Sequence, residues 1–225
     1  METSKEEILK VLTINALRKL QKGSILQAIS HTLAIIGLTL LTITVRAALN
    51  KLNTTELILK SIDFEVFEKY IVYSLILFIG LLITLFALIL LVASMWGFII
   101  PGARYLANID ARFTKASNLL NLGWIWGTVI AIIGLVMSIA SAYLIIILPI
   151  CLGLLIVGII LILLGYTGLI ILTIKLSDFE KIERYETTAI LFTLSSFIPL
   201  LIPIPWILFY LALKTSELKH LGLSS

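Results

Sequence analysis

Few side chains in this sequence combine a polar or titratable group with a place deep in an apolar segment. His31 lies about two turns into the first charge-free block. Ser24, Gln27 and His31 recur at spacings of three and four, which sets them on one helix face. Such a stripe can line a water-filled vestibule or carry a proton. It equally suits a neutral histidine hydrogen-bonded to a neighbouring helix.

A second group lies near the end of the chain, where Thr193, Ser195 and Ser196 precede Pro199, Pro203 and Pro205. Each proline removes an N–H donor and clashes with the preceding turn, so a regular helix is not expected through this stretch. Carbonyls freed at membrane depth need partners, and discontinuous helices build ion and substrate sites in several transporters. Thr193, Ser195 and Ser196 are then the candidate ligands. The alternative is a kinked helix buried against its neighbours, or one that stops early at the interface.

Other chemistry has no signature here. The sequence holds no phosphate-binding G-x-x-x-x-G-K-[ST], no H-E-x-x-H and no G-x-S-x-G. Two histidines and one cysteine, Cys151, make a His/Cys metal site or an intrachain disulfide unattainable. Asp110 stands isolated, and Ser177-Asp178-Phe179-Glu180 reads as a capping box opening a short charged helix through Arg184. No catalytic activity, metal or cofactor is expected. The pI of 9.2 reflects charges that orient the chain and gives no case for nucleic acid.

The elements that must position these residues are membrane helices. Of the 225 residues 60% are hydrophobic and 13% charged, against about 25% charged in soluble domains. Residues 23–45, 70–103, 116–174 and 187–213 contain no Asp, Glu, Lys or Arg. About 20 helical residues cross a bilayer, so the first, second and fourth blocks hold one crossing each. The third is too long for one and contains Pro149, which predicts two crossings joined by a tight turn over residues 148–151. Unbroken apolar runs exclude an alternating membrane barrel.

The predicted fold is therefore all-α, a single-domain integral membrane bundle with about five transmembrane helices and short amphipathic interfacial helices. The crossings fall at about 24–47, 70–100, 122–148, 151–174 and 188–213. Residues 1–22 form a basic amphipathic helix with an apolar stripe at Ile8, Val11, Leu12 and Leu20, able to bind a partner or anionic lipid or simply to anchor the chain. This segment is acidic as well as basic and reads as a retained anchor, not a cleaved signal. A bend is expected at Gly23-Ser24. Pro101-Gly102 should end the second crossing, with a surface helix marked by Leu106, Ile109 and Phe113 before the third.

Small residues that permit close approach recur at steps of three and four in four crossings. They are Ser30, Ala34, Gly37 and Thr44 in the first, and Gly80, Thr84, Ala87 and Ser94 in the second. Gly127, Ala131, Gly134, Ser138 and Ser141 mark the third, and Gly158, Gly165 and Gly168 the fourth. They predict packing seams.

Lys and Arg are denser in the N-terminal segment, the second loop and the fourth loop than in the segments between them, which predicts a cytoplasmic N-terminus and an external C-terminus. Trp96, Trp124 and Trp126 fall at the inner boundary on this reading, with Tyr70, Tyr73 and Tyr210 near the outer one. The sequon at Asn53 falls outside.

Three stretches carry a resemblance. They are residues 16–23, reading ALRKLQKG; Gly165-Tyr166-Thr167-Gly168 leading to Arg184-Tyr185; and the proline-rich last segment. The chain resembles a family of archaeal, mainly crenarchaeal, polytopic membrane proteins of unknown function. The resemblance implies a helical membrane fold and an archaeal origin, and it transfers no catalytic residue.

These readings favour a non-catalytic accessory, scaffold or assembly subunit of the cell membrane. Its partners are membrane lipids and, through the small-residue faces, itself or another membrane protein. The competing reading is a channel or transporter for a small solute with a site at the proline-broken last helix.

Overall fold

The computed structural model describes residues 2–52, 64–140 and 148–223. They form eight α-helices joined by short π and 3-10 turns, with no strand among them. The first loop's centre, with the Asn53 sequon, lies outside the described residues, as does Ser141.

Helix α1, Glu2–Leu52, is unbroken. At 1.5 Å per residue it extends about 75 Å, well beyond the hydrocarbon. The expected bend at Gly23-Ser24 is absent, because Gly23 serves close approach instead: a Cβ there would lie 2.5 Å from Ile99 Cδ1. The N-terminal segment is thus no separate interfacial helix. It continues the first crossing, burying Ala16, Leu17 and Leu20 while Ile8, Val11 and Leu12 stay exposed.

Helix α2, Phe64–Ser94, returns antiparallel to α1 and runs through a π turn, Met95–Ile99, into α3, Ile100–Ile109. Pro101 does not end this crossing. Proline cannot donate and clashes with the carbonyl four residues back; here the preceding turn widens, with Ile100 N–H bonding Met95 O, so the helix passes through. Asp110 breaks it with extended dihedrals of −142° and 123°. A 3-10 turn at Ala111–Phe113 leads into α4, Thr114–Leu120, a second π turn at Asn121–Trp126, and α5, Gly127–Ala140. Leu106 and Phe113, expected on a surface helix, are core residues 1% exposed.

Helix α6, Leu148–Glu180, packs antiparallel along α4 and α5. Pro149 lies in its first turn, where a missing N–H costs nothing. Residues 148–151 are therefore helical and not the expected turn, and Cys151 is a buried helical residue facing Gly134. The seams are as the small residues predict. Gly37 meets Gly80 and Thr84, Ser30 donates to Ala87 O at 2.9 Å, Gly158 meets Ala131, and Gly168 meets Leu120.

Among the described residues five helices are long and apolar enough to cross a membrane, the fifth ending at Leu221. The region expected as one crossing at 188–213 is instead two helices. Helix α7, Arg184–Ser195, and α8, Pro203–Leu221, flank a break containing a 3-10 turn at Pro199–Leu201. They pack antiparallel: Tyr185 OH meets Ser216 Oγ at 2.7 Å, and Phe192 meets Trp206 edge-on at 4.9 Å between centroids. Pro199 opens the 3-10 turn within the break, and Pro203 and Pro205 lie in the first turn of α8, where a missing N–H costs nothing.

This fold-back brings the chain's ends together. Arg18 Nε bonds Glu217 Oε1 at 2.6 Å, and Gln21 Nε2 bonds Glu217 Oε2 at 2.8 Å. Both ends thus lie at one end of the bundle. Tyr210 follows Phe209, whose ring packs on Tyr185 at the start of α7, so it lies toward the end of the bundle that carries both termini.

The hydrophobic core is concentrated at that same end, where α1, α3, α4, α6, α7 and α8 converge. Away from it the described residues separate into two hairpins, α1 with α2 and α5 with α6, without substantial packing between them.

Candidate functional site

The polar stripe of α1 is spent on internal bonds. Ser24 Oγ donates to Leu20 O at 2.7 Å. Gln27 is fully buried, and its amide NH2 donates to Leu91 O at 3.0 Å and to Ser94 Oγ, tying α1 to α2. His31 Nδ1 lies 2.8 Å from Gln27 O, and the ring stacks on Trp206 at 6.4 Å between centroids. One face of α1 therefore meets two partners, α2 through an amide and α8 through an imidazole.

The hydroxyls before the break are spent likewise. Thr193 Oγ1 donates to Ala189 O at 3.0 Å, Ser195 Oγ to Phe192 O at 2.9 Å and Ser196 Oγ to Phe192 O at 3.1 Å. Bonds of this kind satisfy a hydroxyl in a medium without water. Tyr166 OH on α6 also reaches Ser195 Oγ at 2.9 Å. The break itself faces outward, with Phe197 81% and Leu200 69% exposed.

The two groups do not converge into one site. Trp206 stands between them, stacked on His31 and edge-on to Phe192, and Phe209 packs on both Trp206 and Phe192. All three aromatic side chains are fully buried. Apolar rings fill the space between the two groups, where the transporter reading would need a polar cavity. Two buried polar atoms near this stack, Gln27 Oε1 and Trp206 Nε1, have no hydrogen-bond partner among the described residues.

A cluster at the end of the bundle that carries both termini is more polar than either group, and its spacing in sequence hides it. Glu180 is 1% exposed at the end of α6. Its Oε1 lies 2.9 Å from His220 Nε2, and Lys219 Nζ donates to Glu180 O at 2.6 Å. The expected capping box is therefore wrong. Ser177 lies in the last turn of α6, its hydroxyl bonding Ile182 O and Glu186 Oε1, both at 3.3 Å. Lys181 closes the helix in the left-handed region at φ 59°, and α7 begins three residues later. Glu180 clamps the end of α8 to the α6–α7 turn.

Asp110 holds the other reversal. Its carboxylate accepts from Arg112 N at 2.9 Å and from the Arg112 guanidinium at 2.6 Å. These bonds hold its carboxyl below the usual aspartate range. Among the described residues, no three His, Cys, Asp or Glu side chains gather within reach of a metal ion.

The chain matches no family model, no curated protein and no solved structure.

Proposed function

We propose that this protein is a non-catalytic membrane scaffold or assembly subunit, with both termini on the cytoplasmic side and α7–α8 as a re-entrant hairpin. The aromatic filling by Trp206, Phe192 and Phe209 carries this reading, because it occupies the contact between α1 and the broken segment where a solute would have to bind. The hydroxyls of Thr193, Ser195 and Ser196 are bonded to their own helix.

Depth supports the re-entrant hairpin. His31 lies nine residues, about 13 Å, past Lys22, and it stacks on Trp206 just after the break. That is close to half of a hydrocarbon layer about 30 Å thick. Charge agrees: with α8 turned back, Lys214 and Lys219 join the more basic face, which sharpens the asymmetry that orients membrane proteins.

The two hairpins separate away from the core and present apolar faces, including Phe78, Leu82 and Phe86 on α2. In a scaffold these faces meet other membrane helices, of this chain or of another protein. Purification in mild detergent tests this. A defined oligomer or a stable co-purifying membrane protein is expected, and a homogeneous monomer without partner overturns the reading.

One observation favours a second reading, transport of a small solute. Gln27 Oε1 and Trp206 Nε1 are buried polar atoms left without partners beside a broken helix. Reconstituted protein would then carry solute flux that falls when Ser195 and Ser196 become Ala. Absence of flux in the parent protein ends that case.

A further inference from the structure

A groove of about 450 Å³ runs between α1 and the α2–α3 turn, walled by Leu12, Phe98 and Tyr105 and edged by Arg18, Lys19 and Lys22. A second depression of about 220 Å³ adjoins it through the shared Tyr105 and adds Arg104 and Asn108. No carboxylate lines either one.

We propose that this groove binds the phosphate headgroup of an anionic lipid, with Lys19 and Lys22 as its main cationic ligands. Three features carry the assignment. The first is level: Lys22 is the last charge before the block at 23–45, and Arg104 is the first after the block at 70–103. Because α1 and α2–α3 pair antiparallel, with Gly23 against Ile99 and Gly102 against Leu20, the groove lies where hydrocarbon gives way to headgroups. The second is unspent charge. Arg18 is paired with Glu217, whereas Lys22 has no acidic partner among the described residues and Lys19 Nζ lies 4.7 Å from the Tyr105 ring centre. A cation held over an aromatic face keeps its charge available to an anion. The third is the wall. Phe98, beside Gly23 on the hydrocarbon side of the cations, gives the first methylenes of an acyl chain an apolar surface, which a free anion does not need.

Native mass spectrometry of the full chain in a neutral detergent tests this with three probes: phosphatidylglycerol, phosphatidylcholine of the same acyl chains, and inorganic phosphate. Phosphatidylglycerol should stay bound as a discrete adduct, in clear preference to both others. Retention should fall about tenfold or more in Lys19→Gln/Lys22→Gln, since each interfacial basic residue contributes appreciably to anionic-lipid affinity. Lys22→Glu, at an exposed side chain without an acidic partner among the described residues, should lose it too. The charge-matched variant Lys115→Gln/Lys175→Gln should retain it. Equal binding of the two lipids, inorganic phosphate bound as tightly as phosphatidylglycerol, or equal loss in the control variant each overturns the proposal. It stands or falls independently of any oligomer.

Discussion

Arg18 and Glu217 are joined by a 2.6 Å ion pair although 199 positions separate them in sequence. This pair fixes which end of the bundle each terminus occupies. Reporter tags at the N- and C-termini of the full chain should therefore report the same side of the membrane. Tags on opposite sides would show that α8 crosses and that the fold-back is wrong.

The pair itself should be weak. Arg18 is 52% exposed and Glu217 15%, so solvent screens much of the attraction. Glu217→Gln is expected to cost no more than about 1 kcal/mol. A double-mutant cycle with Arg18→Gln in detergent unfolding measures the coupling.

The Glu180 clamp should matter more. Its carboxylate is buried and holds His220, so Glu180→Ala removes the acceptor of the partly exposed imidazole and empties a fully buried position. A loss of about 1–3 kcal/mol is expected. Limited proteolysis should cut the end of α8 faster in the variant while the α1–α2 hairpin keeps its resistance.

Glycines give an internal control. A Cβ on Gly134 would lie 2.9 Å from Leu155 N, whereas one on Gly153 meets nothing within 4 Å. Gly134→Leu should lower detergent stability by about 1–3 kcal/mol, as overpacking does. Gly153→Ala should leave the melting temperature unchanged or raise it slightly through helix propensity. Equal effects would disprove the face assignment of α5.

Asp110 gives a pH dependence. Its carboxyl is held below the usual range by Arg112, so it contributes stability above the ordinary aspartate pKa and loses it as pH falls through the lowered value. Asp110→Asn should remove that acid-side decline from a stability–pH profile. The effect is small because the group is exposed.

Much of the membrane architecture was legible because it depends on composition and short-range spacing. Charge-free blocks mark apolar helices, and glycine recurrence marks the seams, since both are local consequences of lipid as solvent. The fold-back was not legible. A run of 27 residues from Thr187 to Leu213 without charge is long enough to cross, and only partners distant in sequence (Tyr185 with Ser216, Phe192 with Trp206) show that it turns. Prolines signalled a break but not its consequence, because a proline at a helix start and one in a kink look alike in sequence. Glu180 was missed because its partners Lys219 and His220 lie on another helix. A buried acid beside a helix end resembles a cap until the packing is known.

The wide turn before Pro101 has an effect on how the second helix faces its neighbours. Along α2 the buried side follows Gly80, Ala87 and Ser94, then steps by five to Ile99 before resuming at Gly102 and Leu106. Without that additional residue, everything beyond it would be rotated by about 100°. Gly102 would then leave Leu20, and Tyr105 would swing away from Lys19. Deleting one residue in Met95–Ile99 would thus turn the lower helix like a key, with its upper half still seated in the lock.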